Sequence, residues 1–120
     1  MSQYVDGFIF SIPRSKLASY KKMATKAGAL WREHGALHYR ECVGDDMTAE
    51  GMVGFPKLTK AKADEVVIFA YAVFKSRRHR DATNRKIMED PRVVALCGKF
   101  GITLDCKRMS YGGFKTLVDI

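Results

Sequence analysis

Disulfide chemistry has little to work with in this chain. Cys42, Cys97 and Cys106 are odd in number and no two stand in C-x-x-C spacing, so neither a disulfide framework nor a zinc site is indicated. Reduced thiols and a cytoplasmic location are the expectation. Proline and glycine are sparse, 3 and 10 residues against 47% apolar content, which excludes low-complexity and disordered classes. No apolar run reaches membrane length: Val66 to Phe74 is nine residues, too short to cross a bilayer. Ser2 to Ile12 carries Asp6 and no basic leader, so a secretion signal is not expected. A glycine-rich phosphate loop, an H-E-x-x-H pair and a serine elbow are all missing, so the expectation is no cofactor and no metal.

What is present fits one domain, residues 1–120, long enough to bury a real core. The formal net charge of +8 favours anionic partners through long-range attraction without saying which. A solvated basic surface is the plain alternative.

The chain is organised around Glu65 to Pro91. Its first part, EVVIFAYAVF, is rich in Val, Ile, Phe and Tyr and reads as a strand. Both faces are apolar: Val66, Ile68, Ala70, Ala72 and Phe74 on one, Val67, Phe69, Tyr71 and Val73 on the other. Such a strand is central and needs cover on both sides. Ser76 can cap a following helix, which Asp90-Pro91 ends.

Before it, Tyr4 to Ile12 alternates as a first strand, with Asp6 interrupting an apolar face of Tyr4, Phe8, Phe10 and Ile12. From Leu17 the spacing is helical, with Tyr20, Met23, Ala24, Ala27, Leu30, Trp31 and His34 in one stripe. Gly35 ends it as a left-handed residue should, and His34 in its last turn suits the helix dipole as a cation. Ala36 to Val43 makes a second strand: His38, Arg40 and Cys42 share one face, Leu37, Tyr39, Glu41 and Val43 the other. Gly44 to Asp64 is a long connection of the kind that forms a lid or binding loop. Arg92 to Cys97 is expected as a short extra turn, 98–105 as irregular, and Lys107 to Val118 as the last strand, bent or closely approached at Gly112-Gly113.

Strand, helix, strand, strand, helix, strand is the α+β, ferredoxin-like βαββαβ order: a four-stranded antiparallel sheet with two helices on one face. The open face then exposes large apolar side chains, which monomers rarely tolerate. A homodimer packing sheet against sheet, at about 10 Å separation, covers it.

YVDGF, WREHGAL-x-YRECV, GFP, KSRRHRDATNRKIMEDPR and KRMSYGGF resemble the motifs of a bacterial family of YbaA-like proteins, a domain of unknown function. The resemblance spans nearly the whole chain. Such proteins resemble the dimeric α/β-barrel superfamily, whose relatives include cofactor-free monooxygenases, haem-dependent dismutases and small isomerases. The resemblance implies that fold and dimer and carries no activity. It also implies a pocket between the open sheet face and its covering loops.

Candidates for such a pocket are Asp6, His38, Arg40, Tyr71, Met109 and Tyr111, where polar groups stand among apolar strand neighbours. Asp6 and Arg40, if inward, each need a partner, and each other is the nearest expectation. His38 has the near-neutral titration of a general base; a hydrogen-bonded histidine is the bland reading. Separately, Arg77, Arg78, His79 and Arg80 crowd the start of the second helix, where free N–H groups and guanidinium groups make an anion site. The alternative is neutralisation by Asp81, Glu89 and solvent.

The leading function is a small-molecule-binding or enzymatic homodimer, its ligand anionic or hydrophobic. A nucleic-acid module shares the strand order, but VVIFAYAVF lacks the basic residue and glycines of the RNA-recognition pattern. A regulatory or structural interaction module without ligand is the third reading. No membrane partner is expected.

Overall fold

A computed structural model describes residues 2–100 and 104–120. Three of its four strands take up the segments where side chains alternate or are apolar throughout: β1 (Tyr4–Pro13), β2 (His38–Val43) and β3 (Glu65–Phe74), with β4 (Ser110–Lys115) last. They hydrogen-bond in the order β2-β3-β1-β4, all antiparallel. This is the expected split β-α-β order. Its two long strands are central, and the half-polar β2 and β4 form the edges.

Register decides which residues meet. Asp6 stands opposite Ala72 and Gly113, and Phe8 opposite Ala70 and Tyr111. The even positions of β1 and β3 therefore share a face, and there Phe10, Ile12 and Ile68 close on Tyr20 and Ala24 of α1 (Leu17–Glu33). A second cluster joins Tyr4, Ala72 and Phe74 to Trp31 and Tyr39. The apolar stripe of α1 thus meets the sheet as its spacing requires. Gly35 follows it with φ +128°, the left-handed conformation that lets the chain reverse into β2.

The helix layer is fuller than two helices. After α2 (Phe55–Leu58), a single turn in the long connection, and α3 (Arg77–Glu89), the stretch expected as a short turn is a nine-residue helix, α4 (Pro91–Lys99). The reason lies in two adjacent residues. Asp90 ends α3 and its side chain accepts the Arg92 N–H as N-cap of the next helix, while Pro91 supplies a ready-made first position. β4 is shorter than Lys107 to Val118, because a 3-10 turn occupies Cys106–Arg108. Part of the 98–105 stretch, 101–103, lies outside the described residues. So does the Cys97 side chain; Cys42 and Cys106 are free thiols.

The odd positions form the other face. One end is covered by the chain itself: Ser11 and Thr59 hydroxyls meet at 2.6 Å, bringing the connection over buried Val67. The rest is open, with Phe69 48% and Phe114 61% exposed.

Candidate functional site

The residues singled out in the sequence divide between the two faces. His38, Arg40 and Tyr71 come together on the open face. The His38 and Tyr71 rings stack with centroids 5.9 Å apart, and the Arg40 guanidinium lies 5.9 Å over the Tyr71 ring. Asp6, Tyr111 and Met109 are on the helix side. The expected Asp6–Arg40 pair is therefore not formed, because the two side chains leave opposite faces of the sheet. Asp6 is 2% exposed and its partner is Arg80, whose Nη1 donates to Oδ1 at 2.7 Å. The Tyr111 hydroxyl donates to the same oxygen at 3.1 Å, and the guanidinium lies 4.9 Å over the Tyr4 ring. Burial still pushes the Asp6 carboxyl above its ordinary range, against the pull of Arg80 and Tyr111.

That contact also takes apart the basic cluster. Arg80 turns into the fold, and His79 accepts the Lys75 N–H on Nδ1 at 2.9 Å. Only Arg77 and Arg78 of the four are exposed. The Ser76 hydroxyl already caps the helix start by accepting the His79 N–H. Four side chains converging on one anion is not what this helix start presents.

Two further polar networks tie elements together. Arg108 grips Glu65 with both terminal guanidinium nitrogens, at 2.6 and 2.9 Å, and holds its carboxyl down to about 2. His34, at the end of α1, reaches Asp90 at 2.7 Å. Glu33, His34 and Asp90 offer ligand atoms within 4.8 Å of one another, but Arg92 supplies the cation there, bonding Asp90 at 2.8 Å and Glu33 beside it. Arg92 and His34 hold the Asp90 carboxyl well below the usual carboxylate range.

The chemistry that the sequence reading passed over is on β2. Glu41 points to the helix side, where one of its oxygens accepts the Tyr20 hydroxyl and the other the Tyr39 hydroxyl. Burial, and then the Glu41 charge, pushes both phenols far above their ordinary range. Both stay protonated and donate. The trio lines two cavities. The outer one, about 540 Å³, opens between α1 and β2 past Leu17, Lys21 and Ile68. The inner one, about 190 Å³, runs between sheet and helices past Phe10, Met23, Leu96 and Met109. Both cavities lie on the helix side of the sheet, the face opposite the one where a pocket under covering loops was expected. On the open face, opposed Gly7 and Gly112 contribute no side chains, and a depression of about 230 Å³ lies beside Phe69 and Phe114. One signal was legible: Glu41 interrupts the alternating face of Leu37, Tyr39 and Val43, just as Asp6 interrupts that of β1.

Gly28 sets the position of Tyr39. A Cβ there would stand 2.7 Å from the ring's Cδ1, closer than real contacts allow, so only glycine lets the ring lie on α1. Alanine in mid-helix is ordinarily worth roughly 0.5–1 kcal/mol over glycine. Gly28→Ala is nonetheless expected to destabilise by about 1 kcal/mol or more, because overpacking costs more than the helix gains. It should also change the fluorescence of Trp31, whose ring centroid is 5.9 Å from that of Tyr39. Urea denaturation followed by that fluorescence checks both; a stabilised variant with an unchanged spectrum would contradict the packing.

The fold is that of the ferredoxin-like α+β proteins. Two solved structures share it: a nipsnap family protein of unknown function from Agrobacterium tumefaciens, TM-score 0.57 at 14% identity over 95% of this chain and 87% of that one, and a dimeric ferredoxin-like protein from an uncultured marine organism, TM-score 0.55 at 9% identity over 100% and 98%. Residues 3–100 match the family described as protein of unknown function (DUF1428), and the chain belongs to it. It is 40% identical over 119 residues, 98% of each chain, to the uncharacterized protein YbaA of Escherichia coli K12, and equally to that of Shigella flexneri. Among the described residues no helix is long and apolar enough to cross a membrane.

Proposed function

We propose that the protein is a homodimer that binds a small, largely apolar molecule in the cavities between sheet and helices, with Glu41 as its polar anchor. The observation that carries this is the Glu41 carboxylate, fixed by two phenols in the wall of largely apolar space. Ligand sites are typically concave, about 300–1,000 Å³, apolar, and oriented by a few placed polar groups; the outer cavity is within that range. Support for the dimer comes from the exposed Phe69 and Phe114 on one face, and from the dimeric state of one structural relative. Two copies related by a two-fold axis would bury these side chains against each other.

p-Cresol, an aromatic ring with one hydroxyl donor, is a suitable probe. In a titration followed by methyl NMR it is expected to shift the methyls of Met23 and Met109, which line the inner cavity. Met52 and Met88, each 78% exposed, should stay unmoved. Shifts confined to exposed methyls, or none up to the probe's solubility, would overturn the reading.

A further inference from the structure

The pocket reading leaves open what kind of ligand Glu41 would hold. An ionised carboxylate offers about four acceptor positions on its two oxygens. Two are taken, one on each oxygen, by Tyr20 and Tyr39, and the remainder are unspent. Three hydroxyl donors around it, in contrast, are committed. Both phenol hydrogens go to Glu41, and the Thr25 hydroxyl on the cavity wall donates to the Lys21 carbonyl at 2.7 Å. Lys21, an exposed residue, lines the outer cavity, where water screens its charge, and Trp31, whose indole N–H is a donor, lines the inner one. The remaining wall is largely aliphatic and aromatic: Leu17, Ala24 and Ile68 in the outer cavity, Phe10, Met23 and Leu96 in the inner. Spare acceptor capacity on a carboxylate, in largely apolar surroundings, selects by charge and by hydrogen-bond sense.

We propose that the ligand is a small amine: an apolar body carrying a protonated nitrogen that donates to Glu41. This rests on the pocket reading above and deepens it. The direction runs against the whole-molecule balance of +8, which attracts anions at long range. Inside the cavity that field is replaced by one fixed negative group. A carboxylate ligand would meet Glu41 with only the exposed, water-screened Lys21 as a partner for its own charge, and the repulsion from Glu41 grows as water is excluded.

Benzylamine, benzyl alcohol and benzoate share a ring and differ in the group presented, and at pH 7 the first is a cation and the last an anion. Titrated separately and followed through the Met23 and Met109 methyls, benzylamine is expected to bind at least about tenfold more tightly than benzyl alcohol, as a charge-assisted hydrogen bond exceeds a neutral one. Benzoate should be weakest. In Glu41→Gln, benzylamine should lose its advantage while benzyl alcohol binding persists. Tyr20→Phe, which frees one Glu41 oxygen and keeps the carboxylate, should hold or raise the amine preference and serves where Glu41→Gln does not fold. Benzoate binding at these methyls as tightly as benzylamine would overturn the amine assignment and leave the pocket standing. An amine preference that survives Glu41→Gln, or that Tyr20→Phe abolishes in a folded protein, would remove Glu41 as its source. Silence of both methyls to all three probes would overturn the pocket itself and the amine with it.

Discussion

Replacing Arg80 with leucine is expected to cost about 3–5 kcal/mol of unfolding free energy, the usual penalty for breaking a buried ion pair from one side. Asp6 is buried at 2% exposure, and Arg80 is the cation that faces it, 2.7 Å away. Without the guanidinium, the carboxylate keeps only weaker, neutral donors such as the Tyr111 hydroxyl. Asp6 would then do what burial already presses it to do, and hold its proton. The sign of the pH dependence follows. A carboxyl whose folded pKa is raised above its unfolded value of about 4 loses folding stability as pH rises between the two. The deficit of Arg80→Leu should therefore shrink as pH falls toward about 4. Removing both charges, in Asp6→Leu with Arg80→Leu, should recover most of the loss, since apolar replacement of a buried pair is often neutral. Denaturant unfolding of Arg80→Leu, Asp6→Leu and the double variant, each against the wild type, gives the coupling directly. A loss under about 1 kcal/mol for Arg80→Leu, independent of pH, would mean that the pair is idle, since even an exposed ion pair contributes up to that much.

Phe69→Glu is expected to convert a dimer into monomers. Phe69 lies on the open face, 48% exposed in the single chain, and a two-fold axis would place the new carboxylates in one apolar interface. Like charges desolvated there cost several kcal/mol, enough to raise the dimer dissociation constant by about a thousandfold. Ala70→Glu is the contrasting variant. At 4% exposure its side chain points into the helix-side core, so it should unfold the protein rather than dissociate it. Light scattering at micromolar concentration separates the cases. A wild-type protein of monomer mass would contradict the dimer and leave Phe69, Tyr71 and Phe114 free for another partner, nucleic acid included.

Strand order and the central position of β3 were readable because two-sided apolar strands can sit nowhere else. The helix stripe of α1 was readable for the same reason, burial imposing its period on the sequence. The Asp6–Arg80 pair was not, although both residues drew notice. Their contact depends on α3 lying across β1, 74 positions away in the chain, and no local pattern reports such a crossing. Arg80 was grouped with Arg77, Arg78 and His79 as one anion site because its inward turn is a matter of helix phase, one position past His79. Glu41 was legible as an interruption of an apolar face, but its role comes from Tyr20 on another element. For a related reason, the helix-side cavities were not legible. The helix layer gains α4 from a single Asp-Pro step, and part of the inner cavity wall is built from it.

The most direct measurement is a crystal structure grown with p-cresol at a concentration that saturates the probe's NMR response. The ring is expected between α1 and the sheet, with its hydroxyl within hydrogen-bonding distance of Glu41. A probe ordered only on the open face beside Phe69 and Phe114, with the space around Glu41, Tyr20 and Tyr39 free of it, would contradict the account.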